Sequence, residues 1–340
     1  MRRSLFVVIV ITLASQLSFS QDLGSKLSKV GSDYAKAYLQ PGIDAFGADL
    51  NSGMFNTAKV GGILPFGLDL YIGVKVPAAF VSGSTKAFDL SYSDTVHFTR
   101  TIGSQSFDIS VPTTFTVTGA PTIFGDKAAG VATGHATKDT TIAGNNIHLD
   151  STVTMNTIGG LGNISLAPIP IPQVGLGSLF GTDAFVRYLP KIKIGDYGSI
   201  DLLGFGVRHS ISQYIPLIPI DISVQVGWQT FTIRDSSDSQ VLKASTFAAN
   251  LEVSKKFAIL TLYGGLQTEN SNVDVSYNYL PQPTVAIPNP KPVNISFSSK
   301  GKNNFRAIVG FTLGLGPLEL NADYSMGQIN VATAGIGISI

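Results

Sequence analysis

Ten side chains in this 340-residue chain are placed to handle a solute: Asp69, Tyr71, Lys75, Asp183, Arg187, Arg208, Asp221, Glu252, Tyr263 and Arg306, with Glu269 beside them. Each sits in a run where apolar and polar residues alternate, so each falls on the polar face of an extended strand. On the inside of a closed barrel such groups have two uses. They pair across strands and fill a narrow interior, or they line a polar path and clamp what passes. Both remain open from sequence, and inward Tyr71 and Tyr263 with Ile308 and Phe185 leave room for an amphipathic pocket.

Bond-making chemistry has less support. A hydrolase needs a nucleophile, a base and an orienting acid, and His97, His135, His148 and His209 are the available bases. None lies near a nucleophile elbow, although triads are assembled in space rather than in sequence. There is no cysteine, no histidine pair at helical spacing and no acidic calcium-loop pattern. Asp235 and Asp238 read as a solvated turn. No metal, cofactor or enzymatic activity is expected. The glycines at 264–265, 204 and 206, and 335 and 337 lie inside strands, where they allow bending or close approach rather than phosphate binding.

The element that must position the polar faces is a ribbon with one oily side. Residues 219–228 place Ile220, Ile222, Val224, Val226 and Trp228 opposite Asp221, Ser223, Gln225 and Gly227. Residues 304–315 repeat the pattern, with Ile308 as the exception. Only 13% of residues are charged, against about 25% in soluble proteins, and mean hydropathy is +0.26. Yet the longest uncharged run, 151–182, carries Pro168, Pro170 and Pro172, so it makes no membrane helix. Oily ribbons without a spanning helix imply an all-β fold: a transmembrane antiparallel β-barrel of about 14 strands, with 12 as the alternative count.

Arg2 and Arg3, the apolar run 5–13 and the small residues Ser18 and Ser20 read as a secretory signal over residues 1–20. Removing it takes two of the 23 Lys+Arg, leaving 21 against 22 Asp+Glu, a mature charge of −1 and no footprint for nucleic acid. Leu23, Leu27, Val30, Tyr34 and Tyr38 predict a short helix over 22–40, stopped by Pro41-Gly42. It forms a plug in the lumen or a helix on the rim, and with its flanks makes a segment 21–42 ahead of a barrel domain 43–340. Strands are expected in a hairpin over 43–58, then over 66–76, 87–99, 106–118 and 147–164, with a long loop over 119–146. Further strands cover 174–190, 200–213, 219–228 and its continuation, 241–254, 257–269, 304–315, 318–325 and 328–340. Tight turns at Lys255-Lys256 and Gly316-Pro317 fall at the inner end. The spans 119–146 and 270–301, the latter with five prolines, fall outside.

The segments YLQPGIDAFGADLNSGMFNTA (38–58), FGLDL (66–70), GTDAFVRYLP (181–190) and GVRHSISQYIP (206–216) resemble an uncharacterised, Bacteroidetes-type family of outer-membrane β-barrels. That resemblance implies location and architecture. The ground plan of an N-terminal segment followed by about 14 strands is more loosely similar to FadL-type transporters of hydrophobic molecules. Such barrels commonly end in an aromatic residue, and this chain ends at Ile340. The expectation is a bacterial outer-membrane barrel acting as a passive channel for small hydrophobic or amphipathic molecules. The alternative is a surface-interaction barrel that presents its long loops and transports nothing. Outer-membrane lipid, a small hydrophobic ligand and the barrel-assembly machinery are its expected partners.

Overall fold

Alternation of apolar and polar residues produces the wall. In the computed structural model, which describes residues 31–61, 68–194, 198–215, 217–279, 289 and 291–340, sixteen strands, one α-helix and two single-turn 3-10 helices form. The signal segment 1–20 and the expected helical residues 22–30 lie outside the described residues. The helix α1 spans Ser32–Leu50, and β1 follows at Asp69–Phe80. Next come β2 (Ala87–Ile102), β3 (Gln105–Pro121), β4 (Val131–Ile142) and β5 (Asn145–Asn156). The chain continues as β6 (Leu166–Pro168), β7 (Ile171–Leu179), β8 (Thr182–Lys193), β9 (Ser199–Ser210), β10 (Asp221–Arg234) and β11 (Gln240–Phe257). The last five are β12 (Leu260–Tyr279), β13 (Val293–Lys300), β14 (Phe305–Leu315), β15 (Leu318–Met326) and β16 (Val331–Ser339).

Neighbouring strands pair antiparallel from β11 through β7, β1 and β16 to β12, and β12 pairs back on β11. The fold is therefore the expected closed antiparallel barrel with an N-terminal helix, and ten strands close it. Three local events separate ten from about fourteen. Residues 43–58, expected as a hairpin, continue α1 and then an irregular segment. Residues 87–156 leave the wall and form their own four-stranded sheet, β2–β5. In the other direction, the run 174–190 is two strands, because Phe180 and Gly181 both take positive φ (52° and 70°) and close a two-residue turn. The Lys255-Lys256 turn likewise moves to Ala258-Ile259, with Lys256 still paired to Thr261.

The long loop expected over 119–146 contains β4. Its inward residues are Ala132, Gly134 and Ala136, too small to register as an oily stripe. Small residues are needed there because a Cβ on Gly134 would meet the Phe115 ring at 2.9 Å. Within the span 270–301 the far half of β12 pairs with β13 as a hairpin, and residues 280–288 and 290 lie outside the described residues.

Outside, the wall is oily: Val226, Phe205, Leu251, Leu262, Val309 and Ile336 are all exposed. A 12-residue strand such as β9 rises about 30 Å when tilted near 40°, enough to cross the apolar layer. Val309→Arg, with Val309 55% exposed on this face, is expected to cost about 2–4 kcal/mol in a bilayer. Thr137→Arg, on the exposed face of β4, is expected to stay within about 0.5 kcal/mol. Reversible urea unfolding in lipid vesicles measures both, and equal costs would contradict a lipid-facing wall. Gln225→Arg, which alternation alone makes cheap, is no control. Gln225 is buried and accepts a hydrogen bond of 2.9 Å from Asn250.

Candidate functional site

The barrel is filled by its own N-terminal segment. The stripe Tyr34, Tyr38, Leu39, Ile43 and Leu50 is buried along α1, so packing carries the helix through Pro41, where sequence alone predicts a stop. Proline removes one helical hydrogen bond, and an enclosing wall outweighs that loss. The first turns of α1 lie under the β2–β5 sheet at the mouth, Tyr34 meeting Phe88 edge-on at 5.1 Å. Its last turn lies deep in the lumen. There a Cβ on Gly47 would meet Ser271 Oγ at 2.2 Å, so glycine is what lets helix and wall touch.

A helix ends with unsatisfied carbonyls and partial negative charge, and α1 has no basic residue in its last turn. The wall supplies what the helix lacks. Arg187 donates to the carbonyls of Leu50 at 2.9 Å and Ser52 at 2.8 Å, and its Nε donates to Gln173 at 2.9 Å. Arg306 donates to the Ala48 carbonyl at 2.9 Å and to Glu269 at 2.5 Å. Gln229 donates to the Leu50 carbonyl, and Gln267 to that of Asn51 at 3.1 Å. Two guanidiniums and two amides thus cap the plug from across the lumen.

The other sequence-predicted residues fall into two groups. Lys75 donates to Asn321 at 2.7 Å with its ammonium 5.0 Å from the Tyr71 ring centroid, and Tyr263 donates to Asp323 at 3.1 Å. Nearer the tight turns, Arg208 pairs with Asp183 at 2.5 Å, stands 3.8 Å from Glu252 and donates to the Thr57 carbonyl. Asp69 belongs to this group, and Asp221 lies at its edge facing Lys59. Lys75, Arg187, Glu252 and Arg306 show no exposed surface. In this state the polar groups close the lower lumen.

Above the plug's capped end the lumen changes character. An apolar chamber of about 160 Å³ lies between α1 and the wall, bounded by Ile43 and Phe46 of the helix, Ile200, Phe231, Leu242 and Val273 of the wall, and Phe124. Asp49 reaches it from the helix. No polar inward face marks these wall residues in sequence, because at this height the alternation is inverted: Ile200, Phe231, Leu242 and Val273 are buried while Asp201, Thr230, Lys243, Asn272 and Asp274 take the other face. The stripe of α1, read across Pro41, is the signal that finds them.

The chamber abuts a seam. β6 and β7 form one stave in continuous register with β1, Ala79 opposite Ala167 and Lys75 opposite Ile171. Between them the Ile169 N–H donates to the Pro77 carbonyl at 2.9 Å, so odd-numbered residues of this stave bond toward β1. Even-numbered positions face β8, and three of them are Pro168, Pro170 and Pro172. Proline has no N–H to give a ladder. The β7–β8 pairing accordingly stops at Gln173 and Arg187. Continued, it would set Pro170 against Pro190. Beyond that point β8 pairs with β9 alone among the described residues. Ile169 and Pro170 on one side of the seam and Leu189 on the other all border the chamber.

The histidines do structural work. His135 meets Asp150 at 3.0 Å and His148 meets Asp139 at 2.5 Å across exposed strands, and Asp139 holds the His148 imidazole above its ordinary range. They lie in β4 and β5 rather than beside a loop. Asp108 and Ser110 approach the same ring nitrogen of His97, at 2.8 and 3.3 Å. A relay needs its nucleophile and its acid on opposite nitrogens, so this trio cannot act as one. His209 bridges Thr182 and Tyr214 at the turn end, at 2.8 and 2.9 Å.

A model of a family of unknown function (DUF6588) matches residues 1–340. No curated protein matches the chain. Among solved structures, an outer-membrane protein of Vibrio cholerae, OmpT with loop L8 deleted, is similar at 8% identity and a TM-score of 0.24, over 80% of this chain and 99% of that one. A BenF-like porin from Pseudomonas fluorescens aligns at 10% identity and TM-score 0.22 over 80% and 98%. A deltaS2 mutant of the TodX monoaromatic hydrocarbon channel aligns at 8% and 0.19 over 80% and 90%. Scores this low carry no argument about function.

Proposed function

This chain belongs to that family of unknown function, which supplies no activity, and from its geometry we propose a passive carrier of small hydrophobic or amphipathic molecules in the bacterial outer membrane. The apolar chamber bordering the proline seam carries this reading. A molecule entering at the mouth meets an oily compartment, while the straight path below it is closed by the capped plug. The side exit between β6–β7 and β8 leads into the lipid layer, where such a molecule is more stable than in water. No energy source is needed, because partitioning drives the transfer. Catalysis has no part in it.

The seam makes the test direct in a chain without cysteine. Ile171→Cys with Leu189→Cys places two inward-facing thiols opposite one another at the next inward position beyond the Gln173–Arg187 pair, across the seam. Oxidation is expected to reduce uptake of a hydrophobic tracer into proteoliposomes about tenfold, and reductant to restore it. Uptake unchanged by a formed crosslink would remove the side exit.

The surface-interaction alternative is favoured by one observation. The β2–β5 sheet stands outside the wall with polar, exposed residues along β4 and β5. A reduced, assembled protein that transfers no tracer would leave that reading in place.

A further inference from the structure

We propose that the chamber selects a small apolar molecule carrying one protonated amine, held by Asp49. The inference rests on the chamber being a ligand site, as argued above. Asp49 lies on the last turn of α1, borders the chamber and is wholly buried, yet no side chain donates to either of its carboxyl oxygens, the Ala79 amide being the one donor beside them. Every other carboxylate deep in this lumen is engaged: Glu269 by Arg306, Glu252 by Ser223 and Asp183 by Arg208.

Charge decides the ligand's sign. Arg306 is the charged side chain acting on Asp49, and it already donates to Glu269, to Ser52 and to the Ala48 carbonyl. Arg306 is thus shared with Glu269, Arg187 spends its donors on Gln173 and the carbonyls of Leu50 and Ser52, and the Asp49 carboxyl is left with no side-chain donor of its own beside an oily cavity. An anionic ligand meets repulsion there. A neutral hydrocarbon fills the cavity and leaves the carboxylate unpaired, whereas an ammonium supplies the missing donors and the opposite charge together. Position adds to this, since Asp49 sits at the carbonyl end of α1, where a cation is favoured.

Volume sets the size. A cavity of about 160 Å³ is close to one known to hold benzene, at about 150 Å³. The occupant is therefore of benzylamine size, its ring among Phe46, Ile200 and Phe231 and its amine at Asp49. Longer chains would need to extend through the seam between Pro170 and Leu189.

Fluorine NMR on the full-length protein refolded in detergent tests this with three probes of one size: 4-fluorobenzylamine, 4-fluorotoluene and 4-fluorobenzoate, each referenced to empty micelles. The amine is expected to bind at least about tenfold more tightly than the other two. Asp49→Asn, nearly identical in shape, should abolish that preference while leaving 4-fluorotoluene binding within about twofold. Ile200→Trp, which fills the chamber, should abolish binding of all three. Equal affinity of wild type for amine and hydrocarbon overturns the amine assignment and leaves the chamber intact, and this comparison needs no variant to fold. An amine preference that survives Asp49→Asn also overturns it. Failure of all three probes to bind wild type overturns both this inference and the chamber as a ligand site.

Discussion

Replacing Arg306 with methionine is expected to lower stability by about 3–5 kcal/mol, more than any single change on the outer face. The side chain has no exposed surface and joins the plug to the wall: the Ala48 carbonyl and Ser52 hydroxyl on one side, Glu269 on the other. Methionine fills similar space but leaves Glu269 as a buried, unpaired charge and strips a donor from the helix end. Most of the cost comes from that stranded carboxylate, so adding Glu269→Gln should recover more than about 1 kcal/mol of it. Urea unfolding in vesicles reads the single and double variants, and strictly additive losses would show that the two groups do not act as a pair. The same variant loosens the plug, so its barrels should also flicker open in a planar bilayer where wild type stays shut.

Deleting residues 22–40 is expected to leave the barrel closed to ions, and deleting 22–58 to open it. A helix ending at Gln40 would make the shorter deletion sufficient. The structure moves the seal: the groups that fill the lower lumen touch Leu50, Ser52, Asn56 and Thr57, all beyond residue 40. Wall side chains alone do not fill this lumen. Arg187, Gln229 and Gln267 all reach carbonyls of residues 50–52, so the segment occupies the centre. Conductance in planar bilayers distinguishes the two truncations, with heat-modifiable migration confirming that each assembles. A conducting 22–40 deletion would place the seal at the mouth instead, and a silent 22–58 deletion would show that the wall collapses inward without its plug.

Alternation by itself determined the wall. Val226 and Val309 face outward and Lys75, Arg187 and Arg306 inward, because a strand has two faces and a barrel must give one to lipid. Those inward charges could be named from sequence, but not their partners. Strand periodicity assigns a residue to a face and says nothing of what lies across the lumen. What lies there is a helix that local propensity ends at Pro41 and tertiary packing continues to Leu50. Asp49 was hidden for the same reason: read as part of a short hairpin, it had no cavity to face. The excursion of 87–156 from the wall was equally illegible, since β2 and β3 alternate as barrel strands do and β4 buries only alanine and glycine. The seam lay between these extremes. Pro168, Pro170 and Pro172 are plain in the sequence, and their spacing of two puts every missing N–H on one edge. Which neighbour that edge faces was decided by the register with β1, a contact between residues some ninety positions apart that only the closed barrel brings together.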